Sequence, residues 1–246
     1  MTRATWKGTV SGDESVRVVN AFGDMRVRFG GYEGEVEVIA NLQNFADEGA
    51  ALVVEGKMTE QGAVIEVGFR ASTGEWVNRR RPGTRMRADL VVFVPKAAPL
   101  DAAVDDGLLE IRKLKGAVRG RSESGEIVVR GIEGDLDLTT DSGRIVANLI
   151  PREADGEQRI ASRSGEVSVY ANPDVSLRVQ VATAGQISTD VSMTIEAAED
   201  GSRRKRGEAV VGKGTTLLKL DSDTGDIRLF QRPLARKARL RPRPAN

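Results

Sequence analysis

Apolar and polar residues alternate along most of the chain, which is the pattern of a β-strand with one buried face. After Gly107 the apolar positions are Leu109 and Ile111, and the same alternation follows Gly125 and Gly134. An amphipathic helix would need apolar residues three and four positions apart, and that spacing does not occur here. Short strands that begin after glycine turns are therefore predicted.

Two repeats are superimposed on this alternation. Glycine recurs every nine residues from 107 to 143. A longer repeat has small residues on both sides of a variable position, followed by glycine, a polar residue and Ile or Val; its copies begin at Ser122, Thr140, Ser162, Ala182 and Ser222. The copies are about 20 residues apart, except for a gap of about 40 before the last one. A unit of that length with two strands is typical of one rung of a β-solenoid.

The repeats predict an all-β fold, a single-stranded parallel β-helix (β-solenoid) with rungs of about 18–22 residues. We expect the small residues to point inward at each corner and the corner glycine to take the positive φ that tight corners often require. The gap of about 40 residues is interpreted as a coil that carries an inserted loop at 203–206. The polar residues after the corner glycines should stack in the order Glu126, Arg144, Glu166, Gln186 and Asp226.

The first hundred residues show the same alternation with less regular spacing. Residues 86–94 form the strongest single strand, which Pro95 ends. Residues 52–55 and 64–69 are predicted to pair, and a short helical turn is predicted only near 44–51.

No clean linker divides the chain into separate folding units. We assign residues 1–14 to an N-terminal segment and residues 15–230 to one β-solenoid domain, irregular over 15–100 and built of regular rungs over 101–230. Residues 231–246 form a basic tail that contains proline, which we expect to be disordered.

Several motifs occur in an order that one known family shares. An alternating strand ends at Val94 and Pro95, the Ser/Thr-x-Ser/Thr-Gly-x-Ile/Val corners follow, and Gly212-Lys213-Gly214 precedes the last corner. Over about residues 15–230 the chain resembles the bacterial putative-adhesin β-solenoid family, a domain of unknown function. The resemblance implies a repeat protein of the bacterial cell envelope with a stack of parallel strands, an adhesion role and no enzymatic activity. It supplies no catalytic or binding residue.

The composition excludes several functions. Cysteine and histidine are absent, which excludes Ser-His-Asp and Cys-His catalysis, disulfides and imidazole metal sites. Aromatic residues make up only 4% of the chain, which is too few to suggest a surface for base stacking, and no specific nucleic acid partner is predicted. No apolar run approaches the roughly 20 residues of a membrane helix, and no signal-peptide pattern opens the sequence. We expect a cell-envelope or extracytoplasmic location if a leader was removed and a cytoplasmic one if Met1 is the true start.

The near-zero net charge conceals three stretches rich in Lys and Arg, which we call the basic runs. The 37 Lys+Arg balance 36 Asp+Glu for a net charge of +1, yet cations cluster at 79–87, at 203–206 and in the tail. An anionic glycan, a lipid or an envelope surface is the kind of partner that such runs attract. The alternative, which we favour for each loop, is a solvated segment that keeps the solenoid soluble and its open ends apart. The candidate residues for anionic-surface binding are Arg79, Arg80, Arg81, Arg203, Arg204, Lys205 and Arg206.

Acidic residues near the last corner suggest one further chemistry. Asp221, Asp223 and Asp226 lie close together, and some parallel β-helices are Ca²⁺-dependent polysaccharide lyases. Ca²⁺ requires six to eight oxygen ligands, and nothing in the sequence converges on these carboxylates. No catalytic residue, metal ligand or cofactor is therefore predicted. The sequence favours a non-enzymatic scaffold or adhesin; a bactofilin-like protein that self-associates end to end and a Ca²⁺-dependent polysaccharide-active enzyme are the alternatives.

Overall fold

The protein is an all-β molecule in a computed structural model, which describes residues 1–30, 32–44, 50–80, 83, 85–152, 155–197 and 203–232. Apart from a short 3-10 turn at Tyr32–Gly34, all regular structure in these ranges is β-strand, and the predicted all-β class is confirmed. Three earlier predictions lie wholly or largely outside the described residues: the helical turn near 44–51, the tail from 233 onward, and the candidate residue Arg81.

The strands begin after turns, as the alternation predicts, and they form two large mixed sheets. In chain order they are β1 (Thr2–Thr9), β2 (Ser15–Asn20), β3 (Met25–Phe29), β4 (Glu35–Gln43), β5 (Val53–Thr59), β6 (Gly62–Arg70), β7 (Trp76–Val77), β8 (Arg87–Val94), β9 (Leu100–Val104), β10 (Leu109–Arg112), β11 (Val118–Ser122), β12 (Ile127–Arg130), β13 (Leu136–Thr140), β14 (Ile145–Leu149), β15 (Gly156–Ser162), β16 (Val167–Ala171), β17 (Leu177–Thr183), β18 (Ile187–Thr189), β19 (Thr194–Ala197), β20 (Lys205–Val211), β21 (Thr216–Ser222) and β22 (Ile227–Gln231). Over the described residues, sheet A has the order β1-β4-β8-β3-β10-β12-β14-β16-β22-β18. Sheet B has the order β19-β20-β17-β21-β15-β13-β11-β9-β2-β6-β5, with β7 paired to β6.

The repeating unit of the fold is a pair of strands joined by a corner, with the first strand in sheet B and the second in sheet A. We call this unit a tier. In spatial order the tiers are β2–β3, β9–β10, β11–β12, β13–β14, β15–β16, β21–β22 and β17–β18. Neighbouring tiers pair in parallel in both sheets, so residues at equivalent positions lie side by side at a spacing of about 4.8 Å.

The spatial order of the strands departs from the order of the chain at both ends of the stack. At the first end, β6 pairs in parallel with β2 and β8 with β3, so β2 and β3 lie between these later strands and the tier β9–β10. β21 pairs with β15 on one side and β17 on the other, and β22 lies likewise between β16 and β18. The predicted contact between Glu166 and Gln186 is therefore wrong, because Asp226 lies between them. The Val167 N–H donates to the Asp226 carbonyl (2.9 Å), and the Ile227 N–H donates to the Gln186 carbonyl (2.8 Å).

The gap between the last two repeats is filled by antiparallel strands rather than by a coil with an inserted loop. β20 pairs antiparallel with β17, and β19 pairs antiparallel with β20. Lys205 and Arg206 are the first residues of β20, so the predicted loop at 203–206 is wrong for these two. At the other end of the stack, β5 pairs antiparallel with β6, and β4 pairs antiparallel with both β1 and β8.

The core lies between the two sheets and consists of aliphatic residues at alternate strand positions. Leu109, Ile111 and Leu138 are all buried. A Cβ on Gly120 in sheet B would meet the side chains of Leu138 in its own sheet and of Leu109 and Ile111 in sheet A. The side chains of one sheet thus fill the space beneath the other, and this packing leaves only the outer faces and the corners available for function.

Candidate functional site

The corners between sheet B and sheet A are held by a hydroxyl and a glycine. Thr140 and Ser162 end their strands with buried side chains, and each hydroxyl accepts the N–H of the corner glycine three residues later. The distances are 3.0 Å to Gly143 and 2.7 Å to Gly165. Because a buried N–H without a partner is costly, the small residues serve the hydrogen bonding of the corner as well as its tight packing.

The corner glycines are required by close approach between tiers rather than by backbone conformation. None of the positive-φ residues in the described chain is a repeat-corner glycine, so the predicted positive φ is wrong. A Cβ on Gly143 would collide with the carbonyl oxygen of Gly125, and one on Gly165 would collide with that of Gly143. Only glycine lets successive corners stack at the spacing of the sheets.

The basic loops contact an acidic edge formed by the corners. Arg80 pairs with Asp106 (2.5 Å), and Arg204 pairs with Asp221 (2.5 Å) and Asp223 (3.3 Å). The two arginines lie on the same edge of the stack, four tiers apart, which is roughly 19 Å. The structure thus places these two sequence-predicted residues against the acidic body and does not bring them together.

The other described residues of the basic runs differ in exposure. Arg79 and Arg203 are exposed in loops, and Arg206 is exposed on β20. The Lys205 ammonium donates to the Gly185 carbonyl (3.2 Å). Arg206 lines an open depression of about 510 Å³ on sheet B, together with Arg159, Lys219, Glu157, Glu208 and Asp221.

The outer face of sheet B is a balanced charge ladder. From β2 to β15 the register places Arg17, Asp101, Arg119, Asp137 and Arg159 side by side in that order. Arg119 pairs with Asp137 at 3.3 Å, and opposite charges on adjacent strands stabilise a sheet. Arg159 in turn lies beside Lys219, which pairs with Glu157 at 2.9 Å, so the cations of this face have acids beside them on the same or an adjacent strand.

The outer face of sheet A carries a row of a different kind, which we call the outer row: Arg28, Arg112, Arg130, Asn148, Tyr170 and Phe230. Each member lies beside the next in the strand register. Three arginines are thus direct neighbours on adjacent strands. Glu110 is the acid between them: it contacts Arg28 at 3.9 Å and also pairs with Arg112.

The far end of the outer row is aromatic. The Tyr170 and Phe230 rings are stacked with centroids 6.4 Å apart. The guanidinium of Arg232 lies 4.9 Å from the Tyr170 centroid and 5.6 Å from that of Phe230, in the range of a cation–π contact. Positive charge therefore extends over both ends of the outer row.

The described residues offer no evident centre for catalysis or for a metal. They contain no group of three or more acidic side chains arranged to hold a metal ion. Asp105 is the one acid among them with a clearly raised pKa; its partial burial raises the pKa, and the charges of Glu123 and Asp106 add to this. Within the same residues, no helix is long and apolar enough to cross a membrane.

Comparison with known families decides the classification. The model of the family described as Toastrack DUF4097 matches residues 96–229, more than half of the chain and nearly all of the regular tiers. This chain belongs to the Toastrack family. The resemblance recognised from the sequence motifs is thereby confirmed, together with the family's status as a domain of unknown function.

Solved structures with a similar chain are described as adhesins. A putative cell adhesion protein from Clostridium sporogenes is 13% identical over 94% of this chain and 100% of its own, with a TM-score of 0.48. A putative adhesin from Bacteroides fragilis is 10% identical over 94% of this chain and 97% of its own, with a TM-score of 0.32. No curated protein matches this Toastrack sequence.

Sequence reasoning missed the outer row of this Toastrack chain, although part of its signal was present. Arg112, Arg130 and Asn148 follow one another at intervals of 18 residues, the length of one tier. That interval could have placed the three on one face. Arg28 and Phe230 could not have been found in this way, because they belong to tiers that enter the stack out of chain order.

Proposed function

We propose that this protein is a non-enzymatic interaction scaffold of the bacterial cell envelope, an adhesin-like module that binds through an outer face of its sheets. In this proposal the tiers form a β-solenoid, interrupted at both ends by the strands that enter out of order. The stack serves to hold surface side chains at fixed spacing. A scaffold of this kind needs a rigid core and an exposed face, and it needs no catalytic cleft.

One observation carries the proposal: the charge asymmetry between the two outer faces. From β2 to β15, sheet B alternates arginine and aspartate on adjacent strands, and Lys219 beside Arg159 pairs with Glu157, whereas sheet A keeps three arginines side by side. Like charges on adjacent strands destabilise a sheet, so stability alone would not favour this arrangement. An external anionic partner would give it a use.

The basic runs take a secondary place in this proposal. Arg80 and Arg204 form ion pairs with corner acids, which reduces the charge they can offer to a partner. Arg79, Arg203 and Arg206 are exposed and would add to the attraction of an anionic surface at long range. Arg81 belongs to the same proposal through its place in the sequence.

The test is binding to isolated bacterial envelopes. The purified chain is mixed with envelope fractions, the bound fraction is measured by sedimentation, and the supernatant is assayed for unsaturated uronates and new reducing ends. We expect saturable binding that weakens with salt and releases no product. Failure to bind any fraction would refute the scaffold function, and release of product would favour the Ca²⁺-dependent enzyme instead.

A further inference from the structure

The outer row has the charge and the shape of a binding site for one class of polymer. We propose that it binds a linear acidic glycan, with the acid groups of successive sugars paired to Arg28, Arg112 and Arg130. This inference rests on the proposed scaffold function and assigns its ligand. The three arginines of the site lie outside the basic runs, and only Arg232 of the tail reaches the outer row, at its aromatic end.

The first argument is unused hydrogen-bonding and charge capacity. Glu110 is the acid that Arg28 and Arg112 share, and it is itself only 8% exposed. The ion pairs found among the described residues include none for Arg130, whose side chain is exposed. The row therefore retains guanidinium groups that an external carboxylate or sulfate can satisfy.

The second argument is spacing. Parallel pairing places the members of the outer row about 4.8 Å apart, so the row extends over roughly 24 Å from Arg28 to Phe230. Guanidinium groups bind planar oxyanions with two parallel hydrogen bonds, which favours carboxylates and sulfates. A straight row of such groups on an open sheet matches an extended polymer that carries an acid at regular intervals. A compact ligand would use only one or two of the three arginines.

The third argument separates a glycan from other polyanions. Asn148 lies next to the arginines in the outer row, and Tyr170 lies next to Asn148. The amide of Asn148 and the hydroxyl of Tyr170 are groups that can form hydrogen bonds with sugar hydroxyls. Proteins that bind single-stranded nucleic acid use free aromatic faces on which successive bases stack. In the outer row, the Tyr170 and Phe230 rings lie against each other, and Arg232 already covers both. The arrangement therefore favours a glycan over a nucleic acid.

Titration calorimetry of the full chain with oligogalacturonate tests the ligand class. Neutral dextran, oligothymidylate and phosphatidylcholine vesicles with and without phosphatidylglycerol are the comparison probes. We expect heat of binding with oligogalacturonate that decreases with salt, and none with dextran. Tighter binding to oligothymidylate, or to the anionic vesicles alone, would overturn the glycan assignment. Dextran sulfate, which carries sulfate groups and no carboxylates, distinguishes sulfate from carboxylate recognition within the same class.

Variants at exposed arginines test the site. Arg130→Gln removes a guanidinium without breaking an ion pair among the described residues, and we expect about ten-fold weaker binding; Arg28→Gln with Arg130→Gln should weaken it about 100-fold. Arg159→Gln is the matched control, because Arg159 is also an exposed arginine on a strand and lies in the ladder of sheet B. Its affinity should equal that of the wild type. Thermal unfolding curves for all variants establish that the fold is intact.

Each outcome bears on the proposal separately from the scaffold function. Unchanged affinity in Arg130→Gln and in the double variant would exclude the outer row as the site. If Arg159→Gln loses as much affinity as Arg130→Gln, the net charge of the protein and not the outer row explains the binding. If the wild type binds envelopes but none of the acidic glycans, the ligand assignment fails and the scaffold function stands. If it binds neither, both fail.

Discussion

The backbone N–H of Gly165 donates a 2.7 Å hydrogen bond to the hydroxyl of Ser162, three residues earlier at the same corner. Both residues are buried, so no water is available to replace either partner. The same contact recurs between Gly225 and Ser222 at 2.9 Å. The repeated hydroxyl of the sequence motif is thus a hydrogen-bond acceptor on which the turn from sheet B to sheet A depends.

Replacement of Ser162 by Ala should destabilise the protein by about 1–2 kcal/mol, because the Gly165 N–H then loses its partner in a buried setting. Ser162→Thr is the control, since threonine already occupies the equivalent position at Thr140 and accepts the same bond there. Urea unfolding measures both. A loss in Ser162→Thr as large as in Ser162→Ala would show that packing, and not the hydrogen bond, stabilises this corner.

Replacement of Gly143 by Ala should cost roughly 3 kcal/mol, because the added Cβ overlaps the Gly125 carbonyl and forces two tiers apart. The informative comparison is Gly12→Ala. Gly12 has a φ of +55° and nothing within 4 Å of a new Cβ, so that change should cost only about 1–2 kcal/mol of backbone strain. Thermal or urea unfolding would show which of the two variants loses more stability. Equal costs would mean that the corner glycines are not selected by close approach.

Asp105 should make stability depend on pH. Burial, with the charges of Glu123 and Asp106, raises the pKa of its carboxyl above the ordinary value of about 3.9. An acid whose pKa is raised by folding opposes folding where it is ionised, and the penalty disappears as the pH falls through the raised pKa to the ordinary value. Asp105→Asn should therefore stabilise the protein at neutral pH by about 0.5 kcal/mol or less, given the group's partial exposure.

The gain in Asp105→Asn should vanish below about pH 3.9, where the carboxyl is protonated in both states. Unfolding at a series of pH values tests this. Asp141→Asn is the control, because that acid pairs with Arg163, is not among the charges that raise the pKa of Asp105, and its loss should bring no gain. A difference between Asp105→Asn and the wild type that stays constant with pH would rule out the titration of Asp105 as its origin.

We expect the protein not to polymerise end to end. A growing rod would add tiers in parallel, but sheet B ends in the antiparallel strands β5 and β19. The edge strands also carry charged residues such as Lys7 and Lys57, which discourage strand addition. Light scattering should give one monomeric mass over a wide concentration range. Concentration-dependent filaments in electron micrographs would support the bactofilin-like alternative.

The strands could be predicted from the sequence because their signals are local. Apolar alternation and a preceding glycine are contained within a few residues, and the segments after Gly107, Gly125, Gly134 and Gly143 all form strands. The order of the tiers is not local. It depends on which strands β21 and β22 pair with after the chain has formed β19 and β20, and no short motif encodes that choice.

The candidate site could likewise be predicted only in part from the sequence. The basic runs were visible as clusters in sequence, but their corner partners were not, because Arg204 and Asp223 meet only through folding. The reason for the corner glycines was also hidden. A positive φ is a property of one residue, whereas the collision at Gly143 involves the carbonyl of a neighbouring tier. Register, and not composition, brings Arg28 beside Arg112.

The position of β21 and β22 has a consequence for how the chain reaches its fold. During synthesis, β15 and β16 emerge before β17 and β18, yet the strands that pair with them on the side away from β13 and β14 are the later strands β21 and β22. A nascent chain that stacked its tiers as they left the ribosome would pair β15 with β17 and would have to separate them again. The open edge of β15 and β16 must therefore stay unfilled, or be vacated, until residues 216–231 arrive. That edge is the point at which wrong pairing and aggregation compete with folding.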